Sequence, residues 1–157
     1  MPNWCSNTMM VTHKNTAMID RVENAVNAGC LLEEFAPLGE WQYDVAVEKW
    51  GTKWDINDGD VIDRNENTIT VGFMTAWSPP INFYDELLAQ GFEVHAEYFE
   101  PGVCFVGKYI DGEDEEYSFE SADLLEEIPE DLVENWGIRE MMEDWDEEID
   151  DWTSDAD

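Results

Sequence analysis

Two thiols and two imidazoles, Cys5, His13, His95 and Cys104, fall on stretches that read as β-strands, where neighbouring strands could gather them as zinc ligands. None belongs to a close-spaced pair such as C-x-x-C, so core or edge placement is the expectation. The stretch DINDGDVIDRNE sets Asp55, Asn57, Asp63 and Glu66 at positions 1, 3, 9 and 12 of a calcium-loop register. Its glycine, Gly59, stands at position 5 where the loop needs position 6, and its flanks read as strands, so a hairpin turn is expected. The chain has no glycine-rich phosphate loop, no G-x-S-x-G elbow and no H-E-x-x-H pair, and only two histidines to act as bases. Carboxylate pairs are so frequent that none singles itself out as an acid and a base. The expectation is a protein that is not an enzyme and holds no metal or cofactor.

Tryptophan offers a different chemistry. Trp41, Trp50, Trp54 and Trp77 could stack on a base or a sugar, which would give the chain a small-ligand or enzymatic role, although tryptophans at this density in a small domain usually fill a core. Further along, REMMEDWDEEIDDW sets eight carboxylates against Arg139, yet it also carries two methionines, an isoleucine and two tryptophans. Ile138, Met141, Met142, Trp145, Ile149 and Trp152 fall at i, i+3, i+4, i+7, i+11 and i+14, one stripe of a helix whose other positions are almost all acidic. Like charges at i, i+4 destabilise an isolated helix by a few tenths of a kcal/mol per pair, so the stripe must be buried to hold it. Residues 138–152 would span roughly 22 Å as a helix and carry about one net negative charge per 3 Å. A DNA strand carries one per roughly 3.4 Å. Glu140, Glu143, Asp144, Glu147, Asp150 and Asp151, with Trp145 and Trp152, are therefore the candidate partner-binding residues. Three readings stand: carboxylates that imitate phosphates before a basic nucleic-acid-binding protein, an adaptor whose Met and Trp stripe fills a partner's groove, or a solvated face.

Charge and composition bound these readings. The chain has 157 residues, 43% of them hydrophobic, enough for one domain with a real core, and a formal net charge of −32. Residues 1–110 hold 17 Asp and Glu against 6 Lys and Arg, whereas residues 111–157 hold 22 against Arg139 alone. Such clustering counts against general salt adaptation, which would spread the acids evenly. Seven cations cannot form a phosphate-binding patch, so direct contact with nucleic acid is not expected. No apolar run suits a membrane span, MPNWCSNTMM lacks the features of a signal peptide, and three widely spaced cysteines suit a reducing compartment. The expected location is the cytoplasm of a host cell.

The elements that must position these residues are mostly legible. NWCSNTMMVTH reads as a strand, and NTAMIDRVENAVNAG as an amphipathic helix stopped by Gly29. LLEEFAPLGEWQYDVAVEKWG reads as an irregular connection with about one turn of helix. TKWDIN and NTITVGFMTA read as a hairpin about the turn-rich DGDVIDRNE. SPPINFYDELLAQG reads as a second helix, with Ser78 as N-cap and Pro79 first in the helix. FEVHAEYFE and VCFVGKYI form a second hairpin, and DGEDEEYSF supplies a charged turn and a short edge strand. Asp123 and Glu126 are spaced as a capping box, and Pro129 opens a short helix ending at Gly137 with Leu132, Val133 and Trp136 on one side. The fold class expected is α+β: a ferredoxin-like antiparallel sheet with two helices on one face over residues 1–120, and an acidic helical appendage with a disordered end over 121–157.

Four segments also resemble a known family. MPNWCSN at 1–7, KWGTKWDIN at 49–57, FMTAWSPP at 73–80 and FEPGVCFVGKY at 99–109 are similar to motifs of the YubB-like family of plasmid and phage proteins. The resemblance covers roughly residues 1–110, in the right order. It implies a ferredoxin-like domain encoded by a mobile element, and so a protein of the host or its defences as the basic partner, and no activity or site residue.

Overall fold

The computed structural model describes residues 3–143. In chain order the elements are β1 (Trp4–Thr12), α1 (Thr16–Ala28), α2 (Leu31–Phe35), α3 (Tyr43–Trp50), β2 (Asn57–Arg64), β3 (Thr68–Ala76), α4 (Ile81–Ala89), β4 (Glu93–Glu100), β5 (Phe105–Ile110), β6 (Glu113–Ser118), a 3-10 helix (Ala122–Glu127) and α5 (Glu130–Asn135). The class is α+β, with all six strands in one antiparallel sheet of order β2-β3-β1-β4-β5-β6. No helix among the described residues is long and apolar enough to cross a membrane.

The elements that match expectation are those whose signals are local. Alternation along β1 buries Cys5, Asn7, Met9 and Val11. The Asn15 side chain accepts a hydrogen bond from the Ala17 N–H at the start of α1, and Gly29, at φ +74°, ends the helix. Ile19, Val22 and Val26 face inward between these caps.

Four expectations are corrected. Residues 31–51 contain two helices, α2 and α3, rather than an irregular connection. Their supports come from elsewhere in the chain: Asp55 accepts from the backbone N–H groups of Leu32 (2.9 Å) and Glu33 (3.0 Å), and the Trp50 indole donates to the Ala36 carbonyl (2.8 Å). Residues 52–56 are not a strand; the acidic NDGDVIDR is β2 itself, and the turn is Asn65–Asn67, where the Asn65 side chain accepts from Asn67 and Thr68. Nor does Ser78 cap α4, which begins after Pro80, while the Ser78 hydroxyl donates to the Gly51 carbonyl (2.6 Å). Pro80 disfavours helical backbone at Pro79, so a helix cannot start there. The capping box at Asp123 and Glu126 does not form either: Pro129 leaves only a six-residue 3-10 helix with no side-chain cap.

The sheet has two unlike faces. Met9, Val11, Ile69, Val71, Phe73, Val94, Ala96 and Tyr109 pack on one side against Ile19, Val22, Leu32, Phe35, Trp50, Phe83 and Leu87 of α1–α4. On the other side, at the β4-β5-β6 end, Val106 is covered by Phe119, Ile128, Leu132, Val133 and Ile138. There the Phe99 ring lies between those of Phe119 and Trp136, stacked at 5.5 Å on each. Each such pair is worth about 0.5–1.5 kcal/mol beyond its buried area. Residues 138–143 are helical and continue this layer, with Met141 and Met142 half-buried against it.

The β4–β5 hairpin explains one of the sequence segments as construction. Glu100 is buried at the tip, its carboxylate accepting from the backbone N–H groups of Gly102 (2.8 Å) and Val103 (2.5 Å). A Cβ on Gly102 would stand 2.7 Å from the Glu100 carboxylate, and one on Gly107 would stand 2.3 Å from the Tyr98 hydroxyl. Gly107 therefore lets Tyr98 lie across β5 and donate to Asp114 of β6 (2.6 Å). Gly107→Ala should destabilise the fold by about 1–3 kcal/mol through overpacking. Tyr98→Leu should remove the ring but not the Glu115 carbonyl, which would stand 2.5 Å from the same Cβ, so the double variant in urea unfolding should lose only somewhat less than the sum of the single losses. Strict additivity would mean that the ring does not impose the glycine.

Candidate functional site

Two segments far apart in sequence are clamped together at the end of β3. The Asn7 side-chain amide points to the Thr75 hydroxyl (3.0 Å), Thr75 donates to the Ser78 carbonyl (2.7 Å), Ser78 donates to Gly51, and Thr52 donates to the Ala76 carbonyl (2.9 Å). Gly51, at φ +87°, ends α3 where a Cβ would meet the Ile81 backbone nitrogen at 3.0 Å. The clamp holds Trp77 in the left-handed region, at φ +71°, its N–H donating to the Asn3 carbonyl (2.8 Å). For a bulky residue that conformation costs on the order of 1–3 kcal/mol, and it persists only where surroundings enforce it. Yet the side chain so placed is 48% exposed.

Around Trp77 lie other exposed aromatic groups. The Lys53 ammonium sits 4.3 Å from the Trp54 ring centre and 5.8 Å from that of Trp77, within cation–π range of both. The Trp41 indole donates to the Lys53 carbonyl (2.7 Å), and Trp4 lies 6.2 Å from Trp54. Tyr43, Val47, Lys53 and Trp77 stand about a cleft of about 150 Å³ over buried Thr52 and Ala76. Of the four tryptophans singled out in the sequence, Trp41, Trp54 and Trp77 are 50%, 40% and 48% exposed, whereas Trp50 is core. Sequence reasoning missed Tyr43 and Lys53. The available signal was Lys53 itself, one of only seven cations and adjacent to a tryptophan.

The acidic layer lies on the opposite part of the sheet. Residues 111–143 carry 14 carboxylates and Arg139, which pairs with Glu130 at 3.0 Å. Phe119, Leu132, Val133, Trp136 and Ile138 turn inward, while Glu120, Asp123, Glu126, Glu127, Asp131 and Glu134 are exposed. Of the candidate partner-binding residues, Glu140 and Glu143 are exposed on the helical stretch; Asp144, Trp145, Glu147, Asp150, Asp151 and Trp152 lie outside the described residues.

Cys5 is buried, which pushes its thiol up to about 12, and His13 lies against Phe92 with its ring nitrogen 3.1 Å from the Gln90 carbonyl. Among the described residues no three His, Cys, Asp or Glu side chains are grouped to hold a metal ion, and the calcium-register residues lie along the edge strand β2 and its approaches.

Neither a family model nor a curated protein matches the chain. A solved structure to which it is similar is the protein api92 from Yersinia pseudotuberculosis, of family model DUF1281, at 18% identity and a TM-score of 0.43. That match covers 59% of this chain and 40% of the other.

Partial desolvation raises the carboxyl pKa values of Asp114, despite its Tyr98 hydrogen bond, and of Glu116, although both stand on the exposed edge strand β6. A carboxyl whose pKa is higher in the folded chain than in the unfolded one binds its proton more readily when folded. Stability from this source is therefore gained as pH falls through the folded value and lost as pH rises above it. The urea midpoint should accordingly rise as pH is lowered from neutral toward the carboxyl range. Asp114→Asn keeps an acceptor for Tyr98, drops the charge, and should flatten that slope. A midpoint that only falls on acidification would contradict this assignment.

Proposed function

We propose that this is a non-enzymatic acidic binding protein whose C-terminal carboxylates occupy the phosphate-binding surface of a basic nucleic-acid-binding protein. The observation that carries the reading is the division of labour in residues 111–143. Their large apolar side chains dock on the outer face of β4-β5-β6, and nearly all their carboxylates are left unpaired by cations among the described residues. Docking removes the need for the acids to hold the segment in place, so they are free to engage a partner. The resemblance to plasmid and phage proteins directs the reading toward a host or defence protein as target.

The scaffold in this proposal is a ferredoxin-like unit formed by β1, α1, β2, β3, α4 and β4, encoded by a mobile element of the YubB-like kind. The strand order β2-β3-β1-β4, with α1 and α4 packed in one core on one face, supports it. Strands β5 and β6 extend that sheet and provide the surface on which residues 121–143 dock.

The test separates charge from shape. Changing Glu140, Glu143, Asp144, Glu147, Asp150 and Asp151 to Asn or Gln should leave the thermal transition within a few degrees, since Glu140 and Glu143 are exposed and the other four fall off the apolar stripe in the sequence. The same variant should lose capture of basic DNA- or RNA-binding proteins from a bacterial lysate, and should no longer compete with DNA for them. Capture by the parent should weaken steeply with salt. Should Trp145→Ala with Trp152→Ala abolish capture while the charge variant retains it, the stripe rather than the charge makes the interface.

A further inference from the structure

The aromatic platform is separate from the acidic layer, and we infer that it is a docking site for a proline-rich segment of a partner protein, flanked by basic residues. Five of the nine large exposed apolar side chains among the described residues, Trp41, Tyr43, Val47, Trp54 and Trp77, gather there. Clustering of this kind marks a binding surface, whereas scattered exposed apolar residues do not.

The chemistry of the cleft selects the occupant. A sugar's hydroxyls need carboxylate or amide side chains as acceptors, and none lines this cleft, where the Thr52 and Ser78 hydroxyls already donate to the Ala76 and Gly51 carbonyls. A nucleotide needs cations for its phosphate, and Lys53 stands alone against a net charge of −32. What remains is an apolar ring-sized hollow of about 150 Å³ between Tyr43 and Trp77, suited to a pyrrolidine ring. Aromatic-lined grooves receive polyproline helices in this way, because such a segment is already extended and its carbonyls point outward. The indole N–H groups of Trp54 and Trp77 donate to no described residue and are available to those carbonyls. Glu40 and Asp44, both exposed and next in sequence to Trp41 and Tyr43 of the platform, favour basic flanks.

Lys53 fixes the two indoles by lying over both, and the clamp through Gly51 and Ser78 holds Trp77 in its left-handed conformation. Strain of this kind at an exposed side chain gives the test a readout that a structural role would not share. Trp77→Gly should bind a proline-rich probe at least about tenfold more weakly while keeping or raising the melting temperature, since glycine adopts positive φ without penalty. A tryptophan needed only for stability would lower the melting temperature and leave the affinity unchanged.

The experiment uses the full chain labelled with 15N and titrated with a peptide of about ten residues, mostly proline, with an arginine at each end. The expected result is movement of the Trp54 and Trp77 indole resonances, with that of buried Trp50 unmoved, and loss of the effect in Trp77→Gly and in Tyr43→Ala. Three outcomes would overturn the inference. One is an equal response to a Gly/Ser peptide with the same arginines, which would make the effect one of charge alone. Another is movement of the same resonances by a cello-oligosaccharide but not by the proline peptide. The third is concentration-dependent self-association removed by Trp77→Gly, which would make the occupant a second copy of the chain.

Discussion

The side-chain amide of Asn7, buried in the middle of the sheet, reaches the Cys5 carbonyl (3.0 Å), the Phe73 carbonyl (3.4 Å) and the Thr75 hydroxyl (3.0 Å). Through Thr75 it joins the central strand to the turn carrying Trp77, and through Ser78 and Thr52 that turn is joined to the end of α3. Each link is a hydrogen bond to a buried or half-buried group, where leaving a partner unpaired costs about 1–3 kcal/mol. The chain of links is therefore stiff. It holds a bulky residue in the left-handed region and fixes the exposed indoles relative to one another.

A second constraint is set by charge. Both edges of the sheet are acidic: β2 carries Asp58, Asp60 and Asp63, and β6 carries Glu113, Asp114, Glu115 and Glu116. Charged edges discourage the addition of further strands from other chains, as does the irregular register between β2 and β3. The scarce arginines are placed where they bind two segments together. Arg64 of β2 pairs with Asp20 and Glu23 of α1, and Arg21 pairs with Glu34 while lying over the Phe35 ring at 4.6 Å. The C-terminal layer, with one arginine, relies instead on rings: without Trp136 and Phe119, Phe99 would face water on both sides.

What the sequence disclosed follows the range of the interactions. Helix α1 was legible because its cap, stripe and terminal glycine lie within fifteen residues. The β4–β5 hairpin was equally plain, although only the folded chain reveals that Gly102 and Gly107 make room for Glu100 and Tyr98. Helices α2 and α3 were not legible, since Asp55 reaches back more than twenty residues to α2. The same limit applies to the site. Trp50 and Trp54 are near neighbours in sequence, yet one donates to Ala36 in the core and the other lies beneath Lys53 at the surface. No periodicity separates them, because the separation is made by the Gly51 turn and by its contact with α4.

The two surfaces also bear on each other. An exposed patch of four aromatic side chains would ordinarily favour association between copies of a protein. Here each copy carries a net charge of −32, so like copies repel at distances of roughly a Debye length, about 8 Å at physiological ionic strength, before the patches can meet. A basic partner experiences the opposite field and is drawn in. For the proposed basic segment the net charge would therefore favour approach, and the fixed rings would then discriminate by shape.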